Sequence, residues 1–183
     1  LSLTLVIVLI SFNSLNEKKP HFISCEESFH INSLTLDMCN NSGQFLTEEQ
    51  IISGLGSSFS KSFSRIEETS FEDTGGKAYY YEFSENGNTN KTVFITIFLY
   101  PNGKYYYSFS IDSDKAIINY NSGVEIKIGD PLSKVSNEFQ SKGFKYNSTT
   151  KSATINIIDE GYLTFYFDDD DKLKSISYIN QLI

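Results

Sequence analysis

Three runs between residues 77 and 111 constrain this chain more than anything else in it. Lys77 to Phe83 (KAYYYEF), Thr92 to Tyr100 (TVFITIFLY) and Lys104 to Ile111 (KYYYSFSI) are crowded with Tyr, Phe, Ile and Thr. Such side chains lose rotamer freedom in a helix and suit a pleated, half-buried surface. Between the runs stand Glu85-Asn-Gly-Asn-Thr-Asn90 and Pro101-Asn-Gly103, both rich in turn formers. The stretch therefore predicts a three-stranded antiparallel meander.

The same order recurs further along. In the first half, Thr47-Glu-Glu-Gln50 has the form of a capping box and opens a short helix through Ile51, Ile52 and Leu55, ending near Gly54 or Gly56. In the second half, Val124 to Asp130 (VEIKIGD) leads into a predicted helix over 131–142. There Asp130 suits the N-cap, Pro131 the first helical position, and Leu132, Val135 and Phe139 form an apolar stripe that Gly143 ends. Strands are predicted at Ala153–Ile158, Tyr162–Phe167 and Leu173–Ile179. A shift of 68 residues lays Ile95–Leu99 on Leu163–Phe167, Lys104 on Lys172, and Pro101-Asn-Gly103 on Asp169-Asp-Asp171. The expected fold is α+β: two tandem helix-plus-meander units, 47–112 and 124–183, with helices covering one face of the sheet.

Upstream, Leu1 to Phe12 is an uncharged apolar run, long enough for a signal-peptide core but short of the roughly 20 residues that span a bilayer. Residues 1–16 are read as a signal peptide whose start is clipped, since neither an initiator Met nor a basic segment precedes the run. The competing reading is a buried N-terminal strand. Residues 17–46 form an arm, with a strand-like alternation at Ser28 to Met38. Cys25 and Cys39 suit an exported protein; a disulfide between them would contribute roughly 3 kcal/mol through loop entropy. Two free buried thiols are the alternative. These features point to a periplasmic or secreted protein of bacterial type. A net charge of −8 argues against nucleic acid or an anionic membrane as partner, both of which favour a basic surface. No membrane insertion is expected after signal removal.

Ile126-Lys-Ile-Gly-Asp-Pro-Leu-Ser-Lys-Val135, with the later Leu163 to Tyr178 (LTFYFDDDDKLKSISY), resembles the small outer-membrane lipoprotein (SmpA/OmlA) domain. That family's pattern is a strand, a glycine turn, a helix a few residues on, and a final hairpin. The likeness covers most of residues 34–180. It departs in the first unit, where Leu36-Asp-Met-Cys39 replaces the glycine turn, and no lipidation cysteine stands at the expected place. Such units in tandem resemble the beta-lactamase inhibitory proteins, which implies a curved sheet presented to a partner protein.

Catalytic chemistry is hard to find. Asp168-Asp-Asp-Asp171 lacks the glycine at the sixth position and the glutamate at the twelfth that a calcium loop of EF-hand type needs. A solvated turn also does nothing to raise a carboxyl pKa for acid/base work. A charged hairpin turn is the favoured reading, although Asp-Asp-Asp-Asp-Lys172 also matches an enteropeptidase target. G-x-S-x-G is absent, and S-x-x-K at Ser58–Lys61 and Ser148–Lys151 comes without its companion motifs. Only His21 and His30 are available as imidazoles. No enzyme activity, metal or cofactor is expected.

Strand alternation instead sorts the aromatics onto two faces. Val93, Ile95, Ile97 and Leu99 would lie inward, with Tyr79, Tyr81, Tyr105, Tyr107, Phe165 and Phe167. Tyr80, Phe94, Phe98, Tyr100, Tyr106, Tyr162 and Tyr166 would face outward and are the candidate binding residues, because Tyr and Phe supply much of the contact energy of interfaces. Parity in Leu173–Ile179 conflicts with the repeat alignment unless a bulge intervenes. The leading expectation is an exported, non-enzymatic module of inhibitor, immunity or envelope-accessory type that binds another protein through this face. A carbohydrate-binding protein or hydrolase using the face as a platform is the alternative.

Overall fold

The computed structural model describes residues 28–37, 45–69, 75–121, 123–158 and 161–180. The segment expected to be a signal peptide and both cysteines of the expected disulfide lie outside the described residues.

The chain runs twice through one sequence of elements. The first half supplies β1 (Ser28–Ile31), β2 (Leu34–Asp37), α1 (Glu48–Leu55), β3 (Phe59–Thr69), β4 (Gly76–Glu85), β5 (Asn88–Leu99) and β6 (Tyr105–Ile111). The second supplies β7 (Ile117–Tyr120), β8 (Val124–Lys127), α2 (Leu132–Phe139), β9 (Tyr146–Asn147), β10 (Ser152–Ile158), β11 (Gly161–Phe167) and β12 (Leu173–Asn180). A four-stranded sheet has the order β2-β1-β7-β8, and an eight-stranded sheet the order β3-β4-β5-β6-β12-β11-β10-β9. Both orders read the same from either edge. The halves join at β1–β7 in the small sheet and at β6–β12 in the large one, antiparallel in each case. The duplication thus includes the strands before each helix, which the meander comparison did not reach.

These observations correct the expected α+β class: the protein is mostly β, with twelve strands and two short α-helices among the described residues. The reason is one of size. A helix of eight residues is about 12 Å long, whereas eight strands at about 4.8 Å spacing extend roughly 34 Å. Two such helices cannot cover that sheet. The small sheet does most of the covering, with Phe29 of β1 packed edge-on to Phe109 at 5.2 Å and close to Tyr178 at 6.0 Å. α2 contributes Phe139, 4.9 Å from Phe165. Ile51 and Leu55 of α1 are buried in the same continuous core.

Local expectations fared unevenly. The capping box is present: the Gln50 N–H donates to Thr47 Oγ1 at 3.3 Å and the Thr47 N–H donates to Gln50 Oε1 at 2.8 Å. Asp130 is not the N-cap of α2, a position held by Pro131. The Asp130 carboxylate instead accepts from the Lys127 N–H and from Lys134 Nζ, at 2.9 and 2.8 Å. The alternating stretch from Ser28 is a tight hairpin rather than one extended arm, turning at Asn32 with φ 56°. β3, eleven residues long, answers to no strand expected from the sequence.

Candidate functional site

Cross-strand pairing settles which side chains share a face of the large sheet, since directly paired residues point the same way. Inward stand Tyr79, Tyr81 and Phe83 of β4, Val93, Ile95, Ile97 and Leu99 of β5, and Tyr105, Tyr107 and Phe109 of β6. Leu163, Phe165 and Phe167 of β11 join them, opposite Tyr178, Ile176 and Leu173. Between Tyr166 and Phe167 the register of β11 against β12 slips, so Tyr166 pairs with Ser175 and Phe167 with Leu173. Lys174 is the extra residue of this bulge. It is the irregularity that the parity conflict in Leu173–Ile179 called for.

The opposite, outward face carries the candidate residues on a pattern repeated in the two halves. On β5 it is Phe94, Thr96, Phe98; at the equivalent place on β11 it is Tyr162, Thr164, Tyr166. In the first half the rings gather. Tyr80 pairs with Thr96 and lies 6.4 Å from Phe94 and 6.5 Å from Phe98, centroid to centroid. Together they leave Thr96 only 5% exposed. Tyr100, one residue beyond β5, meets Tyr106 of β6 edge-on at 5.5 Å. These five rings are half-buried, none of them in the core between the sheets. In the second half Tyr162 is half-buried and Tyr166 is 43% exposed. Where Tyr80 stands over Thr96, Thr154 stands beside Thr164, their hydroxyls 3.0 Å apart.

Between the two aromatic strands, β6 and β12 present small hydroxyl side chains: Ser108 and Ser110, then Ser175 and Ser177. The result is a low serine floor flanked by rings. β5 and β11 are three strand spacings apart, roughly 14 Å. The sequence reading of this face missed the floor; the alternation Tyr106-x-Ser108-x-Ser110 signalled only its β6 half. It also missed Phe63, Arg65 and Glu67, which lie on the outward face at the β3 edge, because β3 itself was not foreseen.

Electrostatics on the face are sparse. Desolvation within the ring cluster, and then the neighbouring Glu67 carboxylate, raise the Tyr80 hydroxyl above its ordinary pKa. Arg65 and Glu67 form an ion pair beside it.

The four aspartates sit away from this face, in the turn joining β11 to β12. Asp168 Oδ1 accepts from the N–H groups of Asp170 and Lys172, at 3.0 and 2.9 Å, which fixes the turn. Asp171, at φ 55°, accepts from Tyr146 Oη at 2.9 Å and pairs with Lys151 at 3.4 Å. The hydrogen bond from Tyr146 is the main force holding the Asp171 carboxyl below its usual range; desolvation opposes it, and the Lys151 charge adds to the lowering. The turn is structural in every contact. Among the described residues no group of three His, Cys, Asp or Glu is placed to hold a metal ion. No helix among them is long and apolar enough to cross a membrane. No protein-family model, curated protein or solved structure matches this chain.

Proposed function

We propose that the protein is an exported, non-enzymatic binding module that holds another protein against the outward face of its eight-stranded sheet. The observation that carries this reading is the repeated aromatic–Thr–aromatic pattern, Phe94-x-Thr96-x-Phe98 and Tyr162-x-Thr164-x-Tyr166, flanking a serine floor. The small sheet and both helices pack on the other face. Rigid half-buried rings lose little side-chain entropy on contact, and small hydroxyl residues between them admit close approach. Export is supported by the apolar run Leu1 to Phe12 and by the two cysteines, Cys25 and Cys39. The role is of inhibitor, immunity or envelope-accessory type, in keeping with the resemblance to tandem small outer-membrane lipoprotein domains.

The test is capture from the native extracellular or periplasmic fraction with the wild-type chain and with a Phe98→Asp/Tyr166→Asp variant. A protein retained by the wild type and lost from the folded variant supports the reading. Equal retention by both contradicts it.

One observation favours a second reading. Tyr and Phe rings interleaved with Ser and Thr hydroxyls also suit a glycan, which stacks on rings and exchanges hydrogen bonds with hydroxyls. Retention on immobilised polysaccharide, abolished by the same double substitution, would decide for it.

A further inference from the structure

The two edges of the large sheet are treated very differently. At one end β9 is two residues long, Tyr146–Asn147, and short edges discourage pairing. At the other end β3 runs for eleven residues, Phe59–Thr69, paired on one side with β4 and, among the described residues, with no strand on the other. Beyond the bulge between Lys61 and Phe63 this edge exposes two large apolar side chains, Phe63 at 45% and Ile66 at 63%.

We propose that this edge is a dimer seam, in which β3 of two copies pairs antiparallel about a twofold axis through Ile66. An axis perpendicular to the sheet pairs only residues that point to the same side, so few registers are open. Centred on Ile66, the pairing sets Arg65 of each copy opposite Glu67 of the other, twice, and brings the two Ile66 side chains together. Centred on Arg65 it would oppose two arginines. Centred on Glu67 it would oppose two glutamates. Like charges directly opposite destabilise a strand pair, and opposite charges stabilise it. Of the three registers, only the one centred on Ile66 sets opposite charges against each other, and it also covers the most exposed large apolar side chain among the described residues. The bulge confines the seam to the part of β3 beyond Lys61, which is held by Glu48 of α1. The outward faces of the two copies would then form one continuous surface. The proposal stands independently of what that face binds.

The test is sedimentation equilibrium of the full chain over a wide concentration range. A concentration-dependent dimer is expected. Glu67→Arg should weaken it by about tenfold or more by opposing like charges twice, and Ile66→Ser should weaken it as well. The exchange Arg65→Glu/Glu67→Arg restores opposite charges and should restore the dimer, with far-UV circular dichroism confirming the fold of each variant. A wild-type chain that stays monomeric to millimolar concentration overturns the proposal. So does a dimer indifferent to Glu67→Arg, or a charge exchange that fails to rescue.

Discussion

Asn32 and Asn121 hold each other's halves of the small sheet. Asn32 Oδ1 accepts the Ile117 N–H at 2.9 Å, and Asn121 Oδ1 accepts the Ser28 N–H at 3.0 Å. The backbone repeats the exchange, Asn32 N–H to Ile117 O at 2.8 Å and Asn121 N–H to Ser28 O at 3.1 Å. Both residues adopt left-handed conformations, φ 56° and 48°, which Asn tolerates better than most residues. Replacing either by Ala removes an acceptor and adds backbone strain, for a loss of about 2 kcal/mol. Replacement by Gly relieves the strain and should cost about half as much. Chemical denaturation of the four variants measures both. Equal losses for Ala and Gly would remove the conformational part of the account.

Gly54 should reverse a familiar sign. Ala in place of a helical glycine usually stabilises by about 1 kcal/mol. Here a Cβ would lie 2.7 Å from both Cα and Cβ of Leu34, so α1 must move off β2. Gly54→Ala should destabilise by about 1–3 kcal/mol. A raised urea midpoint would show that the helix is not seated as closely as described.

The Asp-Asp-Asp-Asp-Lys172 segment should resist enteropeptidase while the protein is folded. The bond to be cut precedes Leu173, which is 1% exposed, donates its N–H to Asp130 O at 2.8 Å and accepts from the Gly129 N–H at 2.7 Å. Digestion should begin only where denaturant unfolds the chain. Rapid cleavage under native conditions, followed by mass spectrometry, would mean that this turn opens locally.

Alkaline titration should divide the tyrosines. Burial is the main force raising the hydroxyls of Tyr80, Tyr81 and Tyr178 above their ordinary value of 10.0, with Glu67 adding to it at Tyr80 and Glu48 at Tyr81. A pKa raised on folding means that the neutral phenol is favoured in the native state. Its contribution to stability is complete below pH 10 and is lost as the pH rises through the folded values. Phenolate absorbance should therefore rise in two phases, the later one accompanied by loss of structure. Glu67→Gln should lower the Tyr80 pKa only part of the way toward 10.0, because burial still raises it. A single phase near pH 10 with the fold intact would contradict this.

Much of the large sheet was legible because its strands are dense in Tyr, Phe and Ile and its turns carry Asn-Gly or Asp. The bulge after Phe167 was legible for a stricter reason: a period of two admits no other repair of a parity conflict. β3 was not legible, because an edge strand needs no apolar alternation, and Phe59-Ser-Lys-Ser-Phe-Ser-Arg reads as a loop. β7 and β8, four residues each, carry too short a pattern to reveal that they extend the β1–β2 hairpin into a sheet that covers the core. That omission is what turned a mostly β protein into an expected α+β one. Asp130 was misread because a carboxylate before Pro looks like a helix cap even when its partners are Lys127 and Lys134. On the outward face, the rings were visible from alternation, while the serine floor depended on knowing that β6 and β12 are neighbours.

The most direct measurement is site-specific photo-crosslinking in the native host. A photoreactive residue replaces Tyr162 or Phe94 on the outward face, or Glu125, exposed on the small sheet, as the control. The account predicts one shared covalent partner from the first two positions and none from Glu125. Crosslinks from Glu125 alone, or none from either outward position, would contradict it.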